Sequence, residues 1–316
     1  MTTSEKCTLV EDYIKKFYLP AMYLLILIVG LAGNATAIII YLVKLRPWKS
    51  SSIIIVNLAV TDLLYTLSMP FLVHFYITGN WTLGELMCRF VRFCFHFNLY
   101  GSILFLTCLS VFRYVVVVHP LRAAQVQRKC WGLLACLGVW VITLVEISPM
   151  LTMITTEQTN NTTLCLDFAS NNPSQIWWYS WLLTVLGYVV PLVVVFWSCT
   201  SIMHALAQGA NVGRPSRVRA RRLSMLILVV FVVCFLPYHM LRALRVNSLR
   251  AGSAVACWEK CAINTAYTVS RPLAGLNTFF NLALFTLAGD RVHQAVHSLM
   301  RTRVHSSSSV AVIYGD

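Results

Sequence analysis

Seven long apolar runs divide this sequence, and they constrain its fold more than any other feature. Each run is close to the roughly 20 residues that an α-helix needs to cross the hydrocarbon core of a bilayer. Lipid offers the backbone no hydrogen-bond partners, so such a run must be helical, and a membrane-spanning strand would be about half as long. The predicted spans, numbered 1 to 7, are residues 17–43, 52–78, 86–118, 130–153, 176–206, 220–246 and 262–288.

The composition excludes a water-soluble domain. Hydrophobic residues make up 58% of the chain and charged residues only 11%, whereas soluble domains carry about 25% charged residues. We therefore predict an all-α membrane protein, a seven-transmembrane helix bundle over residues 17–288. Residues 1–16 are expected to form a polar N-terminus and residues 289–316 a tail. Apolar residues at helical spacing in that tail predict a short amphipathic helix on the membrane surface.

The distribution of charge predicts the orientation. Lysines and arginines are concentrated in the loops that follow spans 1, 3 and 5 and in the tail, whereas the opposite side carries basic and acidic residues in similar numbers. By the positive-inside rule, the N-terminus is extracellular and the C-terminus cytoplasmic, as in a multi-pass protein of the plasma membrane. Most of the net charge of +14 then faces anionic lipids of the inner leaflet, so it does not indicate nucleic-acid binding.

Five of the 11 cysteines fall on the predicted outer side, where conditions are oxidising. Cys88, at the start of span 3, and Cys165, in the loop before span 5, are candidates for a disulfide. Cys7 is assigned to Cys257, although Cys261 competes for it, and one thiol is left over. The loop before span 5 also holds two overlapping glycosylation sequons, at Asn160 and Asn161.

Cationic side chains recur at helical spacing near the predicted outer ends of spans 3 and 6, and Arg271 lies about two turns into span 7. Few acids are expected beside them, so a small anionic ligand would relieve the repulsion between the arginines. The planar fork of an arginine suits a carboxylate or a phosphate. Tyrosine hydroxyls at a similar depth would add hydrogen bonds. The predicted ligand-binding residues are Arg92, His96, Arg242, Arg271, Tyr76, Tyr100, His239 and Tyr267.

An alternative reading of these cations is that they bind nothing. Long basic side chains near helix ends often reach for the water at the headgroups. This reading suits Arg89 and Arg245 but not Arg271, which lies too deep and precedes a proline.

A second polar group lies in the middle of the spans, where polar side chains are costly and indicate function. A carboxylate surrounded by amide and hydroxyl oxygens suits a hard monovalent cation, and we predict an allosteric sodium ion there. The alternative is a structural network of hydrogen bonds between helices. No other cofactor is expected. The residues concerned are Asp62, Asn98, Ser102, Asn277 and Asn281.

Enzyme and transporter interpretations are disfavoured. The sequence has no His-Glu-x-x-His, Cys-x-x-Cys or Gly-x-Ser-x-Gly motif, so we do not expect an enzyme. An anion transporter would also use intramembrane arginines, but it should show internal repeats or broken helices, and neither is evident in the sequence.

Motifs within the spans resemble the signatures of the rhodopsin-like, or class A, G-protein-coupled receptors. The matches, in the family's order, are Gly33-Asn34, Asn57-Leu58-Ala59-x-x-Asp62, Arg113-Tyr114, Trp140, Pro191 and Cys234-Phe235-Leu236-Pro237. Longer segments resemble the 2-oxoglutarate receptor subfamily, which groups with the succinate and nucleotide receptors. They include Phe93-x-Phe95-His96-Phe97-Asn98-Leu99-Tyr100 and Ser270-Arg271-Pro272-Leu273-Ala274.

This resemblance implies a ligand and partners. The ligand would be 2-oxoglutarate or a similar dicarboxylate, with a nucleotide or an acidic lipid such as a cysteinyl leukotriene as alternatives. The partners would be a heterotrimeric G protein of the Gq type and, at the serine-rich tail, an arrestin and a receptor kinase. The resemblance also pairs Cys88 with Cys165 in a disulfide. The chain departs from the family at Phe112, where the family usually has an acid. The residues assigned to G-protein contact or activation are Arg113, Tyr114, Phe235, Pro237 and Asn281.

Overall fold

The computed structural model describes residues 3–44, 47–159, 162–209 and 214–287. Within these ranges long helices pack side by side in a bundle, with one two-stranded sheet between spans 4 and 5. The sequons at Asn160 and Asn161 and the predicted tail helix within 289–316 lie outside the described residues. The helices are α1 (Thr3–Tyr13), α2 (Leu19–Lys44), α3 (Ser50–Thr78), α4 (Gly84–Val118), α5 (Pro120–Val126), α6 (Lys129–Ile147), α7 (Met150–Met153), α8 (Pro173–Thr184), α9 (Val190–Ala207), α10 (Arg214–Val230), α11 (Leu236–Ala251), α12 (Cys257–Gly275) and α13 (Asn277–Leu287).

The first six predicted spans each coincide with a helical stretch that is long and apolar enough to cross a membrane. The seventh predicted span is divided between α12 and α13. Helix α12 carries three charged residues, and α13 has only 11 residues. At the end of α12, the backbone N–H of Leu276 donates to the carbonyl of Pro272, at 3.0 Å. The six long stretches are Cys7–Val43, Ser50–Thr78, Gly84–Val118, Lys129–Met153, Pro173–Ala207 and Ser216–Ala251.

Among the described residues, π-helical turns occur within spans 5 and 6 and at the start of span 1. In spans 5 and 6 a proline follows the turn within two residues, Pro191 in one and Pro237 in the other. Proline has no N–H and removes a hydrogen bond from the preceding helical turn, which explains why the helix widens there. In span 1 the π turn joins α1 to α2. The three turns are Ile14–Tyr18, Val185–Val189 and Phe231–Phe235.

The N-terminal segment differs from the prediction. It is helical from Thr3, and Cys7 is joined to Cys261, so its assignment to Cys257 was wrong. The reason is the register of two parallel helices. Asn264 of α12 donates to the carboxylate of Glu11 on α1, at 2.5 Å. This register places Cys7 opposite Cys261, one helical turn beyond Cys257.

The loop before span 5 folds back over the bundle as an antiparallel hairpin of β1 (Thr156–Thr159) and β2 (Thr162–Cys165). Its last residue, Cys165, forms the expected disulfide with Cys88 at the start of α4, with 5.6 Å between their Cα atoms. We call the end of the bundle that carries the two disulfides the disulfide end, and the other the Arg113 end.

Helices α3 and α6 meet closely because of a glycine. A Cβ atom on Gly132 would lie 2.7 Å from the Cα and 2.9 Å from the carbonyl oxygen of Ser50. Farther along the same pair of helices, the indole N–H of Trp140 donates to the side-chain oxygen of Asn57, at 2.8 Å. Small residues and interhelical hydrogen bonds of this kind hold helices together where lipid gives no hydrophobic driving force.

Candidate functional site

Three buried arginines meet at the disulfide end. Arg92 on α4, Arg242 on α11 and Arg271 on α12 are only 4%, 0% and 6% exposed. Arginine is seldom buried without partners, so the groups around these three side chains decide what the site can bind. All eight residues predicted from the sequence belong to this cluster: Arg92, His96, Arg242, Arg271, Tyr76, Tyr100, His239 and Tyr267.

The first part of the cluster surrounds a carboxylate from the loop before span 5. One oxygen of Asp167 lies 3.7 Å from Nη1 of Arg271 and 4.0 Å from Nη1 of Arg92. The other accepts a short hydrogen bond from the hydroxyl of Tyr267. Burial raises the pKa of this carboxyl, but the guanidiniums of Arg271 and Arg92 more than offset the effect and hold it well below its usual range. We call Asp167, Arg92, Arg271, Tyr76 and Tyr267 the loop-acid centre.

The path of the loop explains how Asp167 arrives there. The disulfide of Cys165 fixes the loop to α4, and Nη2 of Arg92 donates to the carbonyl of Cys165, at 2.8 Å. The amide of Asn171 donates to the carbonyl of Asp167, at 2.9 Å, and closes a tight turn. Phe168 inside this turn is fully buried. Few acids were expected beside the arginines and none was named from the sequence; the loop delivers one, Asp167.

The second part of the cluster surrounds Arg242. Its Nη1 donates to the hydroxyl of Tyr100 at 2.5 Å, and its Nη2 donates to the hydroxyl of Thr184 at 3.0 Å and the carbonyl of Ser180 at 3.3 Å. Nη2 also lies 3.3 Å from Nδ1 of His239. Among the described residues, every hydrogen bond of Arg242 thus goes to a neutral group. We call Arg242, Tyr100, Thr184, Ser180 and His239 the Arg242 centre.

His96 and Tyr238 connect the two centres. Nδ1 of His96 lies 2.9 Å from the carbonyl of Arg92, which can only accept, so Nδ1 carries the proton. Nε2 of the neutral ring then accepts from the hydroxyl of Tyr238, at 3.1 Å. The guanidinium of Arg242 lies 5.5 Å above the ring of Tyr238. Tyr238 was not among the residues predicted from the sequence, although its place between Pro237 and His239 could have indicated it.

Among the described residues of this cluster, four buried N–H donors lack a hydrogen-bond partner, against one carboxylate oxygen, Oδ1 of Asp167. The Nε atoms of Arg92, Arg242 and Arg271 have no hydrogen-bond partner among the described residues, and neither has Nε2 of His239. Because Nδ1 of His239 faces the donor-only guanidinium of Arg242, its Nε2 must carry the proton. Leaving a buried donor unpaired costs about 1–3 kcal/mol. A group rich in acceptor oxygens would satisfy several of these donors together.

Two further arginines lie outside the ligand cluster's core. Arg89 is paired with Glu85 on the same helix, away from the site. Arg245 was interpreted as reaching for headgroup water, but it is only partly exposed and holds the loop instead. Its Nε donates to the carbonyl of Ala169 at 3.3 Å, and its Nη2 donates to the hydroxyl of Ser170 at 2.9 Å.

The predicted sodium site forms a polar group inside the bundle. The carboxylate of Asp62 accepts from the amides of Asn98, at 2.8 Å, and Asn281, at 2.9 Å. Oxygen atoms of Ser102, Asn277 and Asn281 are buried without a partner among the described residues. These oxygens and the carboxylate are the type of ligand that a sodium ion needs, so the residues fit it. The ion stays a prediction.

The residues assigned to G-protein contact or activation fall into two groups. Arg113 and Tyr114 lie near the C-terminal end of α4, and the hydroxyl of Tyr114 lies 3.2 Å from Nε2 of His119. Phe235 and Asn281 are fully buried inside the bundle. Only the first group lies where a partner at the Arg113 end could touch it. The second group, with Pro237, would act through movement of the helices.

Comparison with known proteins gives a consistent result. The family described as "7 transmembrane receptor (rhodopsin family)" matches residues 33–281. The chain is 46% identical to 2-oxoglutarate receptor 1 of Rattus norvegicus over 305 residues, which cover 96% of this chain and 90% of the relative. It is 37% identical to succinate receptor 1 of the same species, with 95% of each chain covered. It is 36% identical to a purinoceptor of Homo sapiens, with 92% of this chain and 79% of the relative covered.

These relatives are receptors, which confirms the expectation that the chain is not an enzyme. Their family implies a small-molecule ligand and a G-protein partner. The seven-transmembrane helix bundle and the motifs in its spans agree with the match. The chain belongs to the rhodopsin family of seven-transmembrane receptors.

Proposed function

We propose that this receptor binds 2-oxoglutarate or a similar short dicarboxylate at the three-arginine cluster. The observation that carries the proposal is the surplus of buried N–H donors contributed by Arg92, Arg242, Arg271 and His239. Carboxylate oxygens accept hydrogen bonds from such donors, and charge-assisted bonds of this kind are about twice as strong as neutral ones. The relative named 2-oxoglutarate receptor 1 supports the same ligand.

The two centres favour a ligand with two carboxylates. Asp167 places a carboxylate between Arg92 and Arg271, and a ligand carboxylate would take its place. Every hydrogen bond that Arg242 donates among the described residues goes to a neutral group, so a second carboxylate would give it a charged acceptor. A monocarboxylate could satisfy only one of the two centres.

The direction of signalling follows from the position of this site. We place the disulfide end outside the cell, because disulfides persist in oxidising surroundings and the basic loops lie at the other end. Ligand binding would then move spans 6 and 7 at the outside, and a G protein would bind at the Arg113 end. We propose a Gq-type partner, because the resemblance to the 2-oxoglutarate receptor subfamily implies it.

Calcium responses of cells that express the chain would test this proposal. We expect responses to 2-oxoglutarate and weaker responses or none to a nucleoside diphosphate and to a cysteinyl leukotriene. Replacing Arg92, Arg242 or Arg271 by alanine should reduce agonist potency about 30-fold or more, because a buried charged partner is worth roughly 2–5 kcal/mol. Arg250→Ala is the matched control, since this arginine lies exposed on the same helix as Arg242 and stacks on Trp177.

The outcomes separate the parts of the proposal. Near-normal potency in all three arginine variants at equal surface expression would refute the anion site. A response to the nucleotide alone would change the ligand class and keep the site. A response seen in cyclic AMP but not in calcium would replace the Gq-type partner and leave the ligand site untouched.

A further inference from the structure

We infer that the Cys7–Cys261 disulfide is exchangeable and that Cys257 is the thiol that exchanges with it. The structure joins Cys7 to Cys261 at the disulfide end, and Cys257, one helical turn before Cys261, is free and exposed. Exchange moves the covalent tether of α1 by one helical turn along α12. The three cysteines are therefore a modification site for small thiols and disulfides. This inference rests on the proposed orientation.

Cys257 lies one helical turn from the disulfide along α12. It is the first residue of α12 and precedes Cys261 by four residues, so both side chains lie on one face with about 5–6 Å between their Cβ atoms. The residue before it, Ala256, provides no side-chain cap to the helix. Alanine is among the poorest N-cap residues, so the first turn of α12 unwinds at low cost. Cys7 and Cys261 are themselves partly exposed, and an incoming thiol can approach them.

The two helices offer a second register for the shifted tether. Helix α1 runs parallel to α12, with Cys7 opposite Cys261 and Glu11 bonded to Asn264. A shift of one turn brings Cys7 opposite Cys257, and the same shift brings Glu11 opposite Lys260. The carboxylate of Glu11, which already accepts from the ammonium of Lys15 at 3.3 Å, then exchanges the amide donor for a second ammonium group. The alternative position thus provides partners for both the thiol and the acid.

The exchange needs no oxidant. The thiolate of Cys257 attacks Sγ of Cys7, a new Cys7–Cys257 bond forms, and the Cys7–Cys261 bond breaks. Cys261 leaves as a thiolate and takes up a proton equivalent to the one that Cys257 released. The number of disulfides and of free thiols is unchanged. A glutathione buffer outside the cell catalyses the same change through a mixed disulfide.

Disulfide mapping on intact cells would test the inference. Cells that express the full chain would be incubated with a buffer of reduced and oxidised glutathione, and free thiols would then be blocked with a membrane-impermeant maleimide. Unreduced digestion with trypsin separates the two candidate partners of Cys7 into different peptides, and chymotrypsin shortens the longer one. The useful cleavage points are Lys6, Lys15, Lys260 and Tyr267.

We expect two bridged species in the wild-type chain, Cys7–Cys261 and Cys7–Cys257, with a ratio that changes after the glutathione treatment. Cys261→Ser should carry the Cys7–Cys257 bridge, and Cys257→Ser, the control, should show a single species that glutathione does not redistribute. If the treated wild-type chain contains the Cys7–Cys261 bridge and no Cys7–Cys257 bridge, the inference is overturned, whether or not the variants reach the surface. A free Cys7 thiol in surface-expressed Cys261→Ser would overturn it as well.

The test also separates this inference from the proposed function. If the maleimide labels Cys257 only in permeabilised cells, the disulfide end lies inside, and both the orientation and the exchange are refuted. If cells show exchange but no response to a dicarboxylate, the ligand proposal fails and the exchange stands.

Discussion

Replacing Asp167 by asparagine should raise the potency of a dicarboxylate agonist. In the structure the carboxylate of Asp167 occupies the position between Arg92 and Arg271 that we assign to one ligand carboxylate. The agonist must displace this carboxylate. The apparent affinity of the agonist is therefore its intrinsic affinity multiplied by the fraction of receptors in which Asp167 has left the two arginines. Asparagine keeps the size of the side chain and can still accept from Tyr267, but it removes the competing charge.

The distances set the scale of the effect. Charges separated by 3.7 and 4.0 Å attract each other by about 4 kcal/mol each at an effective dielectric constant of about 20. Desolvation of the buried groups cancels a large part of this attraction. If about 1.4–2.8 kcal/mol of net stabilisation remains, Asp167→Asn should raise potency by about 10- to 100-fold. The same substitution should lower the thermal stability of the ligand-free receptor, because two arginines lose their buried counter-ion.

Concentration–response curves at matched surface expression would measure this change. Asp167→Glu is the matched control, since it keeps the charge and should alter potency far less than Asp167→Asn. Thermal unfolding of the solubilised receptor with and without agonist would show whether the ligand stabilises the asparagine variant more strongly than the wild type. Unchanged or reduced potency of a well-expressed Asp167→Asn receptor would refute displacement and indicate that Asp167 positions the arginines for the ligand.

Three further predictions concern other parts of the receptor. Phe112→Asp should lower ligand-independent inositol phosphate production or leave it unchanged, because a carboxylate beside Arg113 would restrain it; a raised basal level would contradict this. Gly132→Ala should lower the unfolding temperature, since its Cβ would meet the backbone of α3 at a cost of about 1–3 kcal/mol, whereas Gly138→Ala, which meets nothing within 4 Å, should not. The pKa of Asp167 is lower in the folded receptor than in the unfolded chain. The stabilisation that its carboxylate contributes is therefore complete above the unfolded pKa of about 3.9 and is lost only as the pH falls below that value. The ratio of agonist potencies between wild type and Asp167→Asn should therefore stay constant between about pH 8 and pH 6; a ratio that falls over this range would show that Asp167 titrates there.

Helical periodicity explains why the spans and the arginine cluster could be predicted. Lipid forces the apolar runs to be helices, and residues three or four apart then share a face. Arg92 and His96 were placed together by this spacing, as were His239 and Arg242. The depth of Arg271 in span 7 brought the third arginine to the same end of the bundle.

The features that the sequence did not predict depend on contacts between elements that have no common period. Asp167 lies in a loop whose path is set by the Cys88–Cys165 disulfide and by side-chain bonds to its backbone. The signal that could have found it is its place two residues after Cys165. The choice of Cys261 over Cys257 depends on the register between α1 and α12, which a hydrogen bond between distant residues helps to set.

The π-helical turn Phe231–Phe235 gives span 6 a torsional joint. It lies between the half of the span that carries Arg242 and the half that leads toward the Arg113 end. A π turn holds about one more residue than an α turn, and one residue corresponds to about 100° around an α-helix. Conversion of this turn to α geometry would therefore rotate one half of the helix against the other. A pull on Arg242 would then change which side chains of α10 face the bundle, without requiring the whole helix to tilt as a rigid rod.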